Sequence, residues 1–121
     1  MIDQFGTNLK VLMMTFDEAA SRFEIAESGT DSFKLLYKSA FRLMTDNPAN
    51  AAFYFVIGVA AHGYVIQYED QGVSPEFADK AKAIVVNFNK KIVQALASPP
   101  EAGLRLLGEV TADYQFNVSE F

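Results

Sequence analysis

The only histidine of the chain, His62, lies in its most apolar stretch, ANAAFYFVIGVAAHGYVIQY from Ala49 to Tyr68, together with Tyr54, Tyr64 and Tyr68. An imidazole in such surroundings suits a general acid or base, a ligand contact or a pH-sensitive switch. Tyr64 and Tyr68 are one helical turn apart, so their hydroxyls can line one pocket or one interface margin. These four residues are the ligand or interface candidates. The competing reading makes His62 a core histidine, its ring nitrogens bonded to a tyrosine hydroxyl or a carboxylate of another helix, with the tyrosines as core rings. A phosphoacceptor histidine on a bundle calls for an exposed ring with Gly and Lys close behind it; Gly63 follows, but the next lysine is Lys80.

Other chemistries are largely excluded. There is no Cys, hence no disulfide framework, thiolate site or Cys nucleophile. A lone His removes two-His metal sites, including H-E-x-x-H and the paired E-x-x-H of di-iron bundles. Gly58 and Gly63 fall in a helical pattern and not at a strand-to-helix turn, so they form no phosphate loop. No Asp-rich loop resembles an EF-hand, and G-x-S-x-G does not occur. Spacing alone does not exclude a Ser-His-Asp triad. The expectation is therefore no catalytic residue, no cofactor and no metal.

Five helices and no strands must position these groups. Phe5, Leu9, Leu12, Phe16, Ala19, Phe23 and Ala26 recur every three or four residues, which predicts a first helix from Ile2 or Thr7 to Glu27, stopped by Gly29. Thr30 or Asp31 caps a second helix whose buried face is Phe33, Leu36, Tyr37, Ala40, Phe41 and Met44. Lys34, Lys38 and Arg42 mark its wet face. Asn47 caps the third helix, with Pro48 in its first turn, running to about Asp70. That helix is apolar on nearly every side, so it must be enclosed by other helices or by a partner. Ala52, Val56, Ala60 and Gly63 form a slim line for close approach.

Ser74 and Pro75 open a fourth helix with core residues Phe77, Ala81, Ile84, Val85, Phe88, Ile92, Ala95 and Leu96. Ser98 and Glu101 are spaced for a capping box on a fifth, carrying Leu104, Leu107 and Val110 and ending near Tyr114. Phe116, Val118 and Phe121 follow as an apolar tail. Short connections favour antiparallel neighbours, which gives an all-α single domain, 1–121: a compact bundle of about five helices around the central apolar helix at about 48–70.

Composition fits one such domain of 121 residues, half of them hydrophobic, with eleven Phe and five Tyr. The apolar surplus suggests self-association. A net charge of −5 argues against nucleic acid as a partner, since phosphate binding needs a dense positive surface. Lys80, Lys82, Lys90 and Lys91 form a run with no acid between Asp79 and Glu101, read as a solvated helix face or an acidic docking surface. Asp17, Glu18, Glu24 and Glu27 give the first helix an acidic outer side of the kind that speeds association with a basic target.

Met1-Ile2-Asp3-Gln4 lacks a basic leader, and the apolar run from Ala51 to Ile66 falls short of the roughly 20 residues a membrane span needs. A cytoplasmic location is expected and membrane insertion is not. The leading expectation is a small acidic non-enzymatic protein, a homodimer that binds an unidentified protein partner. Its role is expected to be that of an adaptor, an inhibitor or an immunity-like protein, and in size, charge and architecture alone it is similar to the small acidic helical bundles of bacterial toxin-immunity type. The alternative is a small-molecule binder or enzyme with an inter-helix pocket around His62 and the tyrosines.

Overall fold

The computed structural model describes residues 14–118. Five α-helices follow one another: α1 Phe16–Ile25, α2 Thr30–Asp46, α3 Ala51–Tyr68, α4 Pro75–Leu96 and α5 Pro100–Asn117, with a 3₁₀ turn at Pro48–Asn50 leading into α3. Among the described residues there is no strand, so the all-α bundle expected from the spacing of apolar residues is what forms.

α1 packs on α2 and α4, α3 packs on α2, α4 and α5, and α5 also lies along α4. The α2–α3 pair is the most extensive of these contacts. The core where they meet is aromatic. Phe33 stacks on Tyr64 with ring centroids 4.0 Å apart and receives the edge of Phe23 at 4.9 Å. Ile57, Val85, Phe88 and Ile92 close the centre, each buried to 1% or less exposure.

α1 is shorter than its apolar stripe predicts. Met14 and Thr15 are not helical, and Thr15 caps the helix by accepting the amide of Glu18 at 3.2 Å while its hydroxyl donates to the Glu18 carboxylate at 3.1 Å. That reciprocal cap is a stop to any helix arriving from upstream, because the cap residue is extended. Phe5, Leu9 and Leu12 lie outside the described residues. The other end differs too. Ala26 leaves α1 in an extended conformation, and Gly29 is extended as well, φ −92° and ψ 169°, so it is no left-handed stop. Gly29 instead holds the N-cap position of α2, in place of Thr30 or Asp31, and offers no side-chain cap bond.

Two further caps depart from expectation. Asn47 makes no capping bond; its amide donates to the Tyr54 hydroxyl at 3.2 Å, and Pro48 opens a 3₁₀ turn. The Ser98–Glu101 box does not form, because the Ser98 hydroxyl turns back to the Gln94 carbonyl at 2.7 Å and Pro99 precedes α5 without a side-chain cap. Ser74 does what its sequence context predicts, accepting the Phe77 amide at 3.1 Å. α5 runs on to Asn117, past Tyr114, and Val118 is buried while Phe116 is exposed; Phe121 lies outside the described residues.

α3 is not fully enclosed. One side carries Tyr54, Ile57, Ala61, Tyr64 and Val65 into the core, whereas Phe55 and Ile66 are 53% and 71% exposed. With the 3₁₀ turn it forms a 21-residue segment, Pro48–Tyr68, long and apolar enough by length and composition to cross a membrane, with 44% of its most apolar window buried in the bundle.

Three of the four lysines in the α4 run make cross-helix ties. Lys82 donates to the Ala26 carbonyl at the end of α1, Lys90 pairs with Glu24 at 3.6 Å, and Lys91 pairs with Glu109 at 3.4 Å. Cations at a helix C-terminus are favoured by the orphan carbonyls there, which accounts for Lys82.

Candidate functional site

His62 sits at the border of the covered face of α3. Its ring is half-buried, 4.6 Å from Tyr37 and 6.1 Å from Phe41 of α2, at angles of 51° and 79°. Neither a tyrosine hydroxyl nor a carboxylate bonds it: among the described residues the imidazole has aromatic neighbours and no hydrogen bond. It is a ring in an aromatic margin, and not the hydrogen-bonded core histidine that burial requires.

The three tyrosines are elsewhere. Tyr64 is buried in the core, stacked on Phe33 and 5.1 Å from Tyr68, and both rings meet Phe77 of α4. Burial pushes the Tyr64 phenol above its ordinary range, with the neighbouring Tyr68 adding to the shift. Tyr54 is near the other end of α3, 6.0 Å from Phe16, with its hydroxyl on Asn47. The structure thus brings Tyr64 and Tyr68 together, and places Tyr54 and His62 on separate parts of the helix surface.

Two concave regions lie away from these groups. The first is an apolar groove of about 420 Å³ between α3 and α5, walled by Phe55, Val56 and Val59 on one side and Leu107, Thr111 and Tyr114 on the other. It is continuous with the uncovered face of α3. Leu104, expected in the core, is 66% exposed one turn before Leu107 on α5. The cause is the close approach at Gly103, where a Cβ would stand 2.8 Å from the Ala95 carbonyl oxygen. That contact turns the Gly103–Val110 side of α5 inward and leaves Leu104 out.

The second is a cleft between α1 and α4. One part, about 300 Å³, is lined by Asp17, Ser21, Glu24, Val86, Asn89, Lys90 and Val93 among others. Another, about 440 Å³, shares Glu24, Val86 and Lys90 with it and extends to Ser28, Asp79 and Lys82. The Ser28 hydroxyl donates to Asp79 across its far end at 2.6 Å.

Asn89 is the residue that pattern-reading passed over. It is 2% exposed, and neither its amide nitrogen nor its carbonyl oxygen finds a hydrogen-bonding partner in the protein. The signal was present: Val85, Val86, Ile92 and Val93, the residues three and four positions away on both sides, are all apolar. A polar side chain in that register is buried by the helix period.

No group of three or more His, Cys, Asp or Glu among the described residues is placed to hold a metal ion. No family model matches the chain, and neither does any curated protein or solved structure.

Proposed function

We propose that this is a non-enzymatic interaction module that works by binding other protein chains, with a second copy of itself as the first occupant of the uncovered α3 face. The observation behind the reading is the exposure of Phe55 and Ile66, 53% and 71%, on a helix with no Asp, Glu, Lys or Arg anywhere between Asp46 and Glu69. An apolar patch rimmed by polar surface marks interaction sites in soluble proteins. Charge selects the face on which a second copy docks. Two chains of net charge −5 repel, and the face on which they approach with least repulsion is the one without ionised groups. A two-fold dimer uses the same patch twice, so Phe55 of each copy meets the groove beside α5 of the other.

The exposed acids Asp17 and Glu18 on α1 and Glu27 just after it remain outward in such a dimer and are available to a basic target. Size-exclusion chromatography with light scattering across a concentration series tests the self-association. A mass of twice 13.4 kDa supports it. A mass of 13.4 kDa at every concentration overturns it.

A further inference from the structure

We propose that His62 makes self-association through the α3 face sensitive to acid: the dimer forms with the imidazole neutral, and protonation releases the two copies. This rests on the reading of that face as the surface on which a second copy docks.

The register of α3 places the ring in the middle of the face. Phe55, Val59, His62 and Ile66 follow one another at spacings of four, three and four, which makes one line along the helix. The ends of the line are exposed and its two central members are half-buried. From Asn47 to Tyr68 there is no Asp, Glu, Lys or Arg, so His62 is the one side chain there able to become a cation. In the free chain water reaches the half-buried ring and hydrates either form of it. A second copy seated on Phe55 and Ile66 displaces that water and offers apolar surface instead. An ionised group is costly to bury without a partner. Because a two-fold contact uses the patch twice, each dimer then carries that cost twice.

The surrounding helices leave the ring without a counter-charge. Its neighbours on α2 are the rings of Tyr37 and Phe41, at 4.6 and 6.1 Å. The charged groups of that helix are the cations Lys34, Lys38 and Arg42, of which Lys34 pairs with Glu69 and Arg42 with Asp46. Glu69, two turns along α3 from His62, is thus already engaged. The wall of α5 presents Leu107, Thr111 and Tyr114, and burial holds the Tyr114 phenol above its ordinary range. α4 meets the covered side of α3, with Phe77 against Tyr64 and Tyr68, and Phe16 of α1 meets it at Tyr54.

The sign of the effect separates it from a change in overall charge. A proton on His62 makes each chain one unit less negative than −5, which lessens the repulsion between copies and by itself tightens the dimer. Buried at the face, the same proton loosens it. By linkage, acid favours the state that binds more protons, which here is the free chain.

The test is sedimentation equilibrium of the full chain at about pH 7.5 and about pH 5.5, on either side of the ordinary imidazole value of about 6.5. Circular dichroism follows the fold at both. The dissociation constant of the dimer is expected to rise by about tenfold or more at the lower pH. His62→Gln, neutral throughout, should dimerise at both pH values with little change between them. His62→Lys, charged throughout, should be weak at both. A monomer at every concentration at the higher pH overturns the reading of the α3 face and this inference with it. Three results overturn the acid response alone: a dimer that holds or tightens at the lower pH, a His62→Gln dimer that loosens as much as the parent, or loss of helix in step with loss of dimer.

Discussion

The ring of Phe41 fills the space that a side chain at position 58 would occupy. A Cβ built on Gly58 overlaps Cε1 of that ring and comes within 2.6 Å of Cδ1. This is how α2 and α3, the most extensively packed pair, come so close, and it explains a glycine in a helix interior, where the residue otherwise costs about 1 kcal/mol against alanine.

Gly58→Ala therefore sets a helix-propensity gain of about 1 kcal/mol against an overpacking cost of about 1–3 kcal/mol. The cost prevails, but only partly, since the half-buried Phe41 ring can swing aside. Gly103→Ala is worse: its Cβ meets the Ala95 carbonyl oxygen at 2.8 Å, and backbone in the last turn of α4 cannot rotate out of the way. Urea unfolding should rank Gly103→Ala as the more damaging variant. Phe41→Ala should reduce the penalty of Gly58→Ala in a double-mutant cycle. The reverse ranking would refute this account of the packing.

Three hydroxyls with similar sequence contexts should behave differently. Thr15→Ala and Ser74→Ala each remove a capping bond to an amide of the first turn, at 3.2 and 3.1 Å, and should each cost about 1 kcal/mol. Ser98→Ala removes only a bond back to the Gln94 carbonyl and should stay within about 0.5 kcal/mol. Equal losses for all three by thermal unfolding contradict the caps described above.

Those caps also show where the sequence was legible. The all-α character and the buried stripes of α2 and α4 follow from periodicity, because each of these helices keeps one dry side. Helix ends were harder. The T-x-x-E at Thr15 was masked by an apolar stripe running through it, and Ser98 had a competing acceptor in Gln94 one turn back. At the candidate site, neither the ring neighbours of His62, Tyr37 and Phe41 of α2, nor which tyrosines share a surface was legible, because both depend on the neighbours of α3. The burial of Asn89 was legible in its register, with apolar residues three and four positions away on both sides, whereas its want of a partner depends on the facing helix.

Alkaline titration offers a separate check. Burial raises the phenols of Tyr64 and Tyr114 above their ordinary value of 10.0, and Tyr68 adds to the effect at Tyr64. Below that value folded and unfolded chains alike keep these protons, so stability is unaffected. Above it the unfolded chain ionises first, the folded chain holds more protons, and stability falls as pH rises through the folded-state values. Tyr64→Phe should make the alkaline loss shallower, as measured by urea midpoints on both sides of pH 10.0. An unchanged slope contradicts the burial of that hydroxyl.

The self-association reading is sharpest where it separates exposed apolar residues from one another. Ile25 on α1 is 85% exposed and Ile66 on α3 is 71% exposed, so raw exposure predicts that Ile25 matters more. Surroundings decide otherwise. Ile25 lies beside Glu24 and Glu27, and a second acidic chain is repelled there. Ile66 and Phe55 lie on the charge-free helix beside the apolar groove. Ile66→Lys and Phe55→Lys should leave the unfolding free energy of the monomer within about 0.5 kcal/mol, since little of either side chain's packing is lost. Both should weaken the dimer by about tenfold or more, the equivalent of about 1.4 kcal/mol, because each copy then carries a lysine into an apolar contact that supplies no partner for it. Ile25→Lys should leave the dimer intact. Should sedimentation equilibrium find Ile25→Lys the disruptive variant instead, the interface belongs to α1, and the bare face of α3 has another occupant.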